Sequence, residues 1–411
     1  MEDSREFVYQ KFSEYYRDSS TVIPKIQRSH QREYGYLMLK ERFMVRHRRF
    51  TTVEEVKTAL SEIVPSDVYH SCAYYENPDY EMDKKKWLGS DIVFDIDADH
   101  IPTSCDKLHD EFICSKCRFT GRGLTPEYCP VCGCTKFETK TWPCEICIQS
   151  AREEAVKLID ILENDFGFGQ KEIRTFFSGH RGYHVHIEEE AIQSLDALAR
   201  KEIVDYIIGL GLDILNKNSK REKHGRRKPA KKFGLHDFGW NRRLKNGMEK
   251  ILNNSKKEDL KVLGLKNKSL FENKDVIIQR AIKEGKWESI HGVSDQTWLK
   301  LADNVRKIQS AKIDTVVTTD IHRLIRMDGT LHGKTGLKKI EFAPKELKDF
   351  DPFTGAVAFK KGKVKVLVSD APEFILGGET LGPFKKQKVE LPVAAAVMLI
   401  CKGRAEVIAN V

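Results

Sequence analysis

The sequence predicts an α+β fold in which a split core of strands and helices carries two insertions. A buried strand near residue 95 is followed by a helix and two more strands, and strands return over the last hundred residues. We therefore expect residues 1–190 and 311–411 of this 411-residue chain to form one split domain. Residues 105–147 are Cys-rich and residues 191–310 are Lys-rich and helix-like, so we interpret both segments as insertions.

Two helices are predicted near the N-terminus. The aromatic residues of segment 5–20 recur at near-helical spacing, which is typical of an amphipathic helix. A second helix is expected from Thr52 to about Ile63, because Thr52 and Glu55 form a capping box at its start.

The central elements alternate between strand and helix. The segment SDIVFDIDAD (90–99) predicts a buried strand, since its apolar residues favour β-structure. A helix is expected to start at Ser150, which forms a capping box with Glu153. Two short strands over 172–177 and 183–188 should follow it.

The C-terminal hundred residues predict strands again. Three segments have the required pattern, KKIEFA (338–343), AVAFKK (356–361) and KVKVLV (363–368). A final helix is expected from near Pro392.

The net charge of +9 is concentrated in one segment. The run KNSKREKHGRRKPAKK (217–232) holds nine Lys or Arg and one Glu, so it supplies +8 by itself. We expect it to be an exposed or disordered loop within the helical insertion, because like charges repel and no apolar residue anchors them. It is either a solvated loop or a sequence-independent contact to nucleic-acid phosphates.

Neither the N-terminus nor any apolar stretch indicates a membrane protein. The N-terminus, MEDSREFVYQ, is polar from the start and has no secretory signal, and the longest apolar run (393–401) is too short to span a bilayer. We expect a cytoplasmic, nucleoid-associated protein, or a nuclear one if the source is eukaryotic.

Eight of the ten cysteines fall within 43 residues, and their regular spacing indicates metal binding rather than disulfides. Four ligand pairs suit two tetrahedral Zn²⁺ sites: Cys105 and His109, Cys114 and Cys117, Cys129 and Cys132, and Cys144 and Cys147. Sequential pairing joins the first pair to the second, whereas nested pairing joins the first to the fourth. Cys134 is either spare or a replacement for Cys132.

Asp95 and Asp97 stand two residues apart on the predicted strand, so both carboxylates leave the same face. Such oxygen ligands suit two Mg²⁺ or Mn²⁺ ions, which activate a 3′-hydroxyl and stabilise a leaving pyrophosphate. A lone pair of this kind is weak evidence, but apolar residues flank both acids, and burying carboxylates there is costly without cations. Asp91 and Asp99 share the face, so the spacing leaves the ligand set open.

The segment SGHRGYHVH (178–186) has the composition of a phosphate-binding turn. Its two glycines allow close approach of a ligand, Arg181 can neutralise a triphosphate, and Ser178 can donate to it. His184 projects from the adjoining strand. The alternative is an ordinary hairpin turn with surface histidines.

A third segment (313–337) adds a further carboxylate and several cationic or neutral donors: Asp314, Arg323, Arg326, His332 and Lys334. Its HGKTG resembles the end of a P-loop, but position 328 is Asp where that motif requires Gly, so an ATPase is excluded. A carboxylate followed by phosphate-binding groups suits a polymerase.

Taken in order, these segments resemble the catalytic small subunit of archaeal and eukaryotic DNA primase. The resemblance is carried by VFDIDAD (93–99), SGHRGYHVH, DTVVTTDIHRLIRMDGTLHGKTG (314–336) and the N-terminal block QREYGYLMLKERFMVRHRRF (31–50). It covers roughly residues 25–200 and 310–345. It implies the primase catalytic fold, with mixed β-sheets flanked by helices, a zinc-binding insertion and an inserted helical subdomain.

The resemblance also implies residue roles. The catalytic metal ligands would be Asp95, Asp97 and Asp314, with Asp320 as a rival for the third. Nucleotide contacts would be made by Ser178, Arg181, His184, His332, Arg326, Lys334 and, for the initiating nucleotide, Arg46.

For the zinc ligands, the resemblance favours nested pairing, because the last ligand pair of the family leads directly into a helix, as WPCEICIQSAREEAVKLID (142–160) does here. The family pattern is a single zinc knuckle, so a second site would be an insertion. Its expected role is structural or a contact to the template.

The implied activity is template-directed synthesis of short primers on single-stranded DNA from nucleoside triphosphates, with a large partner subunit in a primosome. Three alternatives remain open, a repair-type polymerase of the same superfamily, a zinc-ribbon nucleic-acid-binding protein without activity, and a two-metal nuclease. The preference for ribonucleotides or deoxynucleotides does not follow from the sequence.

Overall fold

The computed structural model describes residues 2–212, 238–256, 263–265, 268–284, 290 and 292–408. The chain forms two compact units. Unit 1 comprises residues 1–156, 169–201 and 312–411, and unit 2 comprises residues 157–168 and 202–311. The basic run at 217–232 lies outside the described residues.

The helices of the described residues, apart from short 3₁₀ turns, are α1 Glu2–Arg17, α2 Val53–Ile63, α3 Glu145–Asn164, α4 Glu190–Gln193, α5 Ala197–Ile207, α6 Gly239–Asn254, α7 Lys268–Glu272, α8 Lys274–Val276, a π-helical segment Ile277–Lys283, α9 Asp295–Gln309, α10 Thr315–Thr319, α11 Pro352–Gly355 and α12 Val393–Cys401.

The strands are β1 Tyr34–Met38, β2 Met44–Arg48, β3 Pro65–Ser71, β4 Ala73–Tyr75, β5 Trp87–Ser90, β6 Ile92–Asp97, β7 Glu111–Cys114, β8 Thr120–Arg122, β9 Phe137–Lys140, β10 Ile173–Phe177, β11 Gly182–Ile187, β12 Leu324–Arg326, β13 Ile340–Phe342, β14 Lys363–Ala371, β15 Phe374–Leu376, β16 Glu379–Leu381, β17 Phe384–Pro392 and β18 Ala405–Val407.

Two four-stranded sheets organise unit 1, with strand orders β12-β3-β1-β2 and β13-β10-β11-β6. The Cys-rich segment forms a three-stranded sheet of order β8-β7-β9, and a further sheet has the order β17-β14-β18. These are the sheets and flanking helices of the predicted α+β fold. Mixed sheets were predicted, and the strands pair antiparallel in every ladder of the described residues.

Local sequence signals explain several element boundaries. The side chain of Thr52 accepts from the backbone N–H of Glu55, whose own side chain accepts from the N–H of Thr52, so the predicted capping box starts α2. The predicted strand at 90–99 is β6, which pairs with β11 along one edge and buries its apolar residues, Ile92, Val93, Phe94 and Ile96. The final helix begins directly after Pro392, as predicted.

Two local predictions were wrong. Helix α3 begins at Glu145 rather than at Ser150, so the Ser150–Glu153 pair lies inside the helix and caps nothing. The segment 356–361 forms no strand; it follows the short helix α11, and only Val357 makes an isolated bridge, to Leu337.

A small apolar cluster holds the two four-stranded sheets of unit 1 together. Cys72, Val93, Val317 and Ile325 are buried against one another, so β6, β12 and α10 converge at one place. Unit 2 has a core of its own, to which Leu270, Ile277, Leu301 and Val305 contribute. None of the described helices is long and apolar enough to cross a membrane.

Candidate active site

Three carboxylates meet at the end of β6. Asp95 and Asp97 are partly exposed, with side chains 24% and 34% accessible. Asp314 comes from a distant segment, and its backbone N–H donates to the carbonyl oxygen of Asp95 at 2.8 Å. The carboxylate of Asp314 also caps α10 by accepting from the N–H of Val316 at 2.9 Å. The structure therefore places the three aspartates that the sequence analysis selected next to one another.

Burial and mutual repulsion act on this carboxylate cluster. Desolvation, with the charges of Asp97 and Asp314, raises the pKa of Asp95 to about 7. Desolvation also raises the pKa of Asp97, while the charges of Arg181 and Lys334 oppose the rise. A bound cation would relieve this repulsion, and carboxylate oxygens are the ligands that Mg²⁺ and Mn²⁺ prefer.

The aspartates are less tightly gathered than the cysteines described below. Among the described residues, the sets whose ligand atoms all lie within 4.8 Å of one another are two Cys/His sets, and the three aspartates are not such a set. One ion therefore cannot contact all three carboxylates without side-chain rotation.

Asp320, the rival for the third carboxylate, lies at the opposite end of α10 and is exposed. Its side chain accepts from the N–H of His322 at 2.9 Å. It lines a cleft of about 400 Å³ together with Arg46, His322 and Arg323. This geometry favours Asp314 over Asp320 as the neighbour of Asp95.

The turn between β10 and β11 is closed by Ser178. Its hydroxyl oxygen accepts from the N–H groups of His180 and Gly182 at 3.3 and 3.2 Å. A Cβ atom on Gly182 would lie 2.4 Å from the carbonyl oxygen of Ile96, and one on Gly179 would lie 3.0 Å from Cβ of His332. We expected these glycines to allow close approach of a ligand. In the structure, their lack of a side chain instead allows β6 and the loop that carries His332 to pack closely against the turn.

Two of the predicted histidines are buried and neutral. His184 pairs with Asp95 across β11 and β6, and its Nε2 lies 3.6 Å from Oδ1 of that carboxylate. The ring of His332 stacks on that of His180 at 5.1 Å, and its Nδ1 accepts from the N–H of Lys334 at 3.1 Å. Desolvation lowers the pKa of His184 and of His332 well below the usual value.

The predicted arginines are held by carboxylates that the sequence analysis did not select. Arg181 is 1% exposed and pairs with Asp99 and with Asp110, the latter at 2.8 Å. Arg326 is similarly paired with Asp67. Asp67 also accepts from the N–H of Gly333 at 3.1 Å.

Arg46, on β2, makes a two-point contact with Glu33 at 2.9 and 3.1 Å. Glu33 is fully buried and also accepts from Lys85 at 2.5 Å. Of the predicted cations, Lys334 and Arg46 are exposed, whereas Arg181 and Arg326 are mostly buried.

Lys339 is a further buried cation that the sequence analysis missed. It is 1% exposed, and its ammonium donates to the carbonyl oxygen of Arg326 at 2.7 Å. Burial lowers its pKa to about 7. Its charge acts on both Asp95 and His184. It stands in a run of ordinary surface composition, KTGLKKIE (334–341), so no sequence signal distinguishes it.

The cysteines form two separate sets. One contains Cys105, His109, Cys144 and Cys147, and the other contains Cys114, Cys117, Cys129 and Cys132. This is the nested pairing. Cys134 belongs to neither set, and its sulfur accepts from the N–H of Lys136 at 3.4 Å.

The spacing within each set fits zinc. In the first, Cys105 Sγ lies 3.4 Å from His109 Nε2 and 3.6 Å from Cys147 Sγ. In the second, the Cys114–Cys132 and Cys117–Cys129 sulfur pairs are both 3.6 Å apart. Tetrahedral ligands at zinc–ligand distances of about 2.0–2.3 Å require separations of roughly 3.3–3.8 Å. Both sets can therefore hold Zn²⁺, and four protein ligands leave no open position for catalysis.

Comparisons with known proteins agree on one family. The family model described as DNA primase small subunit matches residues 138–344. The chain is 32% identical over 405 residues to the DNA primase small subunit PriS of Nitrosopumilus maritimus, with 98% of each chain covered. It is 34% identical over 400 residues to that of Cenarchaeum symbiosum, with 96% of each covered. It is 32% identical over 419 residues to that of Methanococcoides burtonii, with 97% of each covered.

Proposed function

Because this chain belongs to the DNA primase small subunit family, the catalytic subunit of primase, we propose that it makes short primers on single-stranded DNA by two-metal nucleotidyl transfer. The observation that carries the proposal is the meeting of Asp95, Asp97 and Asp314 at the end of β6. Template-directed addition of nucleotides, as in an RNA polymerase, is the reaction that such a carboxylate cluster beside phosphate-binding groups supports.

In this proposal, Asp95, Asp97 and Asp314 hold Mg²⁺ or Mn²⁺. The bound ions supply activation of the 3′-hydroxyl and neutralisation of the leaving pyrophosphate. The chain itself supplies the orientation, since the backbone bond from Asp314 to Asp95 fixes the third carboxylate beside the first. The raised pKa of Asp95 reflects its burial first, and then the negative charges of Asp97 and Asp314 beside it.

The incoming triphosphate is proposed to lie against Ser178, His184, His332 and Lys334. Lys334 is exposed, and its charge already acts on Asp97, so it can contact phosphate without a rearrangement. The two neutral histidines can donate hydrogen bonds without competing with the metal ions for the carboxylates.

Arg181 and Arg326 are proposed to add positive charge next to the phosphates while their carboxylate partners hold them in place. Arg46, whose side chain is 39% exposed, lines the cleft of about 400 Å³ together with Arg323. We propose this cleft for the initiating nucleotide.

The two Cys/His sets are proposed to bind two Zn²⁺ ions with a structural role. Further proposed partners are a single-stranded DNA template, nucleoside triphosphates and a primase large subunit, as expected of an archaeal replication protein in the cytoplasm.

The test is synthesis on an unprimed single-stranded DNA template with Mn²⁺ or Mg²⁺ and labelled nucleotides. Wild type should yield short products. Asp97→Asn and Asp314→Asn should lower the rate at least about a hundredfold, since the ions contribute several kcal/mol of transition-state stabilisation. Asp349→Asn, an exposed aspartate outside both the carboxylate cluster and the cleft that Arg46 lines, is the matched control and should remain close to wild type.

Other outcomes would redirect the assignment. Extension of an existing primer without any unprimed synthesis, with a large subunit supplied, would indicate a repair-type polymerase. Absence of both activities would indicate a zinc-ribbon binding protein, and full activity of Asp314→Asn would remove that residue from the site.

A further inference from the structure

A series of contacts within unit 1 joins the first Cys/His set to the candidate catalytic aspartates. His109 turns Nε2 toward the sulfurs of Cys105 and Cys147, at 3.4 and 3.5 Å. Its other ring nitrogen, Nδ1, lies 2.7 Å from Oδ1 of Asp110. A carboxylate in this position fixes the orientation and tautomer of a metal-binding histidine.

Asp110 is held from three sides. Besides His109, its Oδ1 accepts from the backbone N–H of Trp142 at 2.8 Å, and its Oδ2 lies 2.8 Å from Nη1 of Arg181. The residue is 6% exposed. A buried carboxylate with this many donors has little freedom to move, so it can fix the guanidinium that it contacts.

The guanidinium of Arg181 lies close to Asp97 but forms no hydrogen bond with it. Its Nη2 contacts Asp99, whereas its Nε lies 4.0 Å from Oδ1 of Asp97, which is too long for a hydrogen bond. The Nε atom is buried and has no hydrogen-bond partner among the described residues. Arg181 therefore faces Asp97 with an unused donor while Asp110 and Asp99 hold its other nitrogens.

We infer that Asp110 is a positioning residue that holds Arg181 back from Asp97 and so keeps the Asp97 carboxylate free to bind the catalytic cation. Without the charge of Asp110, the guanidinium would lose its buried partner. The nearest replacement is Asp97, whose pairing with Arg181 would compete with the metal ion. The first Cys/His set thus takes part in preparing the active site through His109 and Asp110. This inference rests on the proposed function, because it requires Asp97 to be a metal ligand.

The test measures Mn²⁺ binding to the full-length, zinc-loaded chain without nucleotide, by electron paramagnetic resonance of free Mn²⁺. Asp110→Asn should raise the dissociation constant about tenfold. Arg181→Gln alone should bind at least as tightly as wild type, because it removes the competing cation. The double variant should return to within about twofold of Arg181→Gln. Asp106→Asn, an exposed change in the same segment, is the matched control.

Recovery of Mn²⁺ affinity when Arg181→Gln is added to Asp110→Asn would distinguish a positioning role of Asp110 from general structural damage. Zinc content and melting temperature are measured for every variant. Unchanged Mn²⁺ affinity of Asp110→Asn would overturn the inference, and so would a defect, or a loss of zinc or stability, that persists in the double variant. If wild type binds no Mn²⁺, or if Asp97→Asn binds it equally well, the proposed function itself fails.

Discussion

At Asp95, burial and two neighbouring carboxylates all favour the protonated form, and the pKa rises to about 7. The histidines nearby have lowered pKa values and stay neutral, so they do not titrate in the same range. Lys339, whose pKa burial lowers to about 7, titrates in the same range, but it is no metal ligand; Asp95 is the ligand whose protonation competes directly with metal binding near neutral pH.

Mn²⁺ affinity of the zinc-loaded, full-length chain should rise with pH up to about 7 and then level off. Below that pH the ion displaces one proton from Asp95, so the dissociation constant should fall about tenfold per pH unit, and above it no proton is displaced. Isothermal titration over a pH series measures this. Asp95→Asn should bind weakly with no such slope. A flat affinity between about pH 5 and 7 would show that Asp95 is already ionised.

The sequence analysis selected residues that the folded chain brings close together, but it did not predict which side chains surround them. Asp95, Asp97 and Asp314 were predicted together, and the backbone bond between Asp314 and Asp95 brings them together. The partners of the arginines were not predicted, because Asp67 and Asp110 come from other segments and only folding brings them into contact. Asp110 alone carried a usable signal, since it directly follows a ligand histidine.

Local sequence motifs predicted helix and strand boundaries correctly where neighbouring residues alone determine the boundary. The capping box at Thr52 starts α2, because both reciprocal hydrogen bonds form within four residues. The equivalent pair at Ser150 fails, because α3 already begins at Glu145, immediately after the Cys144 ligand. The apolar segment 356–361 was predicted as a strand, but Phe359 packs against Phe12 at a ring distance of 6.2 Å instead. Tertiary packing overrides β-propensity there.

In the Cys-rich segment, too, tertiary structure determines what the local sequence leaves open. Spacing gave the four ligand pairs but allowed either pairing, and the fold brings together the nested one. The chain between the outer pairs folds back as β7, β8 and β9, which places the inner pairs side by side.

Cys129→Ser should lower the zinc content of the purified chain by about one equivalent, because structural zinc depends on all four ligands. Cys134→Ser is the control, since it removes a neighbouring cysteine that belongs to neither set. Its zinc content should match wild type. Atomic absorption on chains purified in parallel gives both values. Equal loss from the two variants would assign Cys134 to the site in place of Cys132.

For the whole molecule, charge is distributed unevenly between the segments. The run at 217–232 supplies +8 of the net +9, and it lies outside the described residues, so its contact with phosphate stays a prediction from the sequence. Basic segments of this kind bind nucleic acid through counterion release, which makes affinity depend on salt.

Replacing Arg226, Arg227 and Lys228 by glutamine should weaken binding of single-stranded DNA. It should also reduce the magnitude of the slope of log affinity against log salt by about 2, because each lost phosphate contact contributes about 0.7. Fluorescence anisotropy over a salt series measures the slope. Glutamine at Lys385, Lys386 and Lys388, three exposed lysines of β17, makes the same change in net charge elsewhere. An equal effect of both triple variants would mean that the basic run makes no specific contribution.

An anomalous difference map from crystals of the full chain, soaked in Mn²⁺ with a non-hydrolysable nucleoside triphosphate, would locate the metal ions and the nucleotide directly. We expect Mn²⁺ peaks at coordination distance from Asp95, Asp97 and Asp314, with the triphosphate against His332 and Lys334. Peaks at Asp320, or a triphosphate bound away from β6 with no Mn²⁺ at these aspartates, would contradict the proposed function.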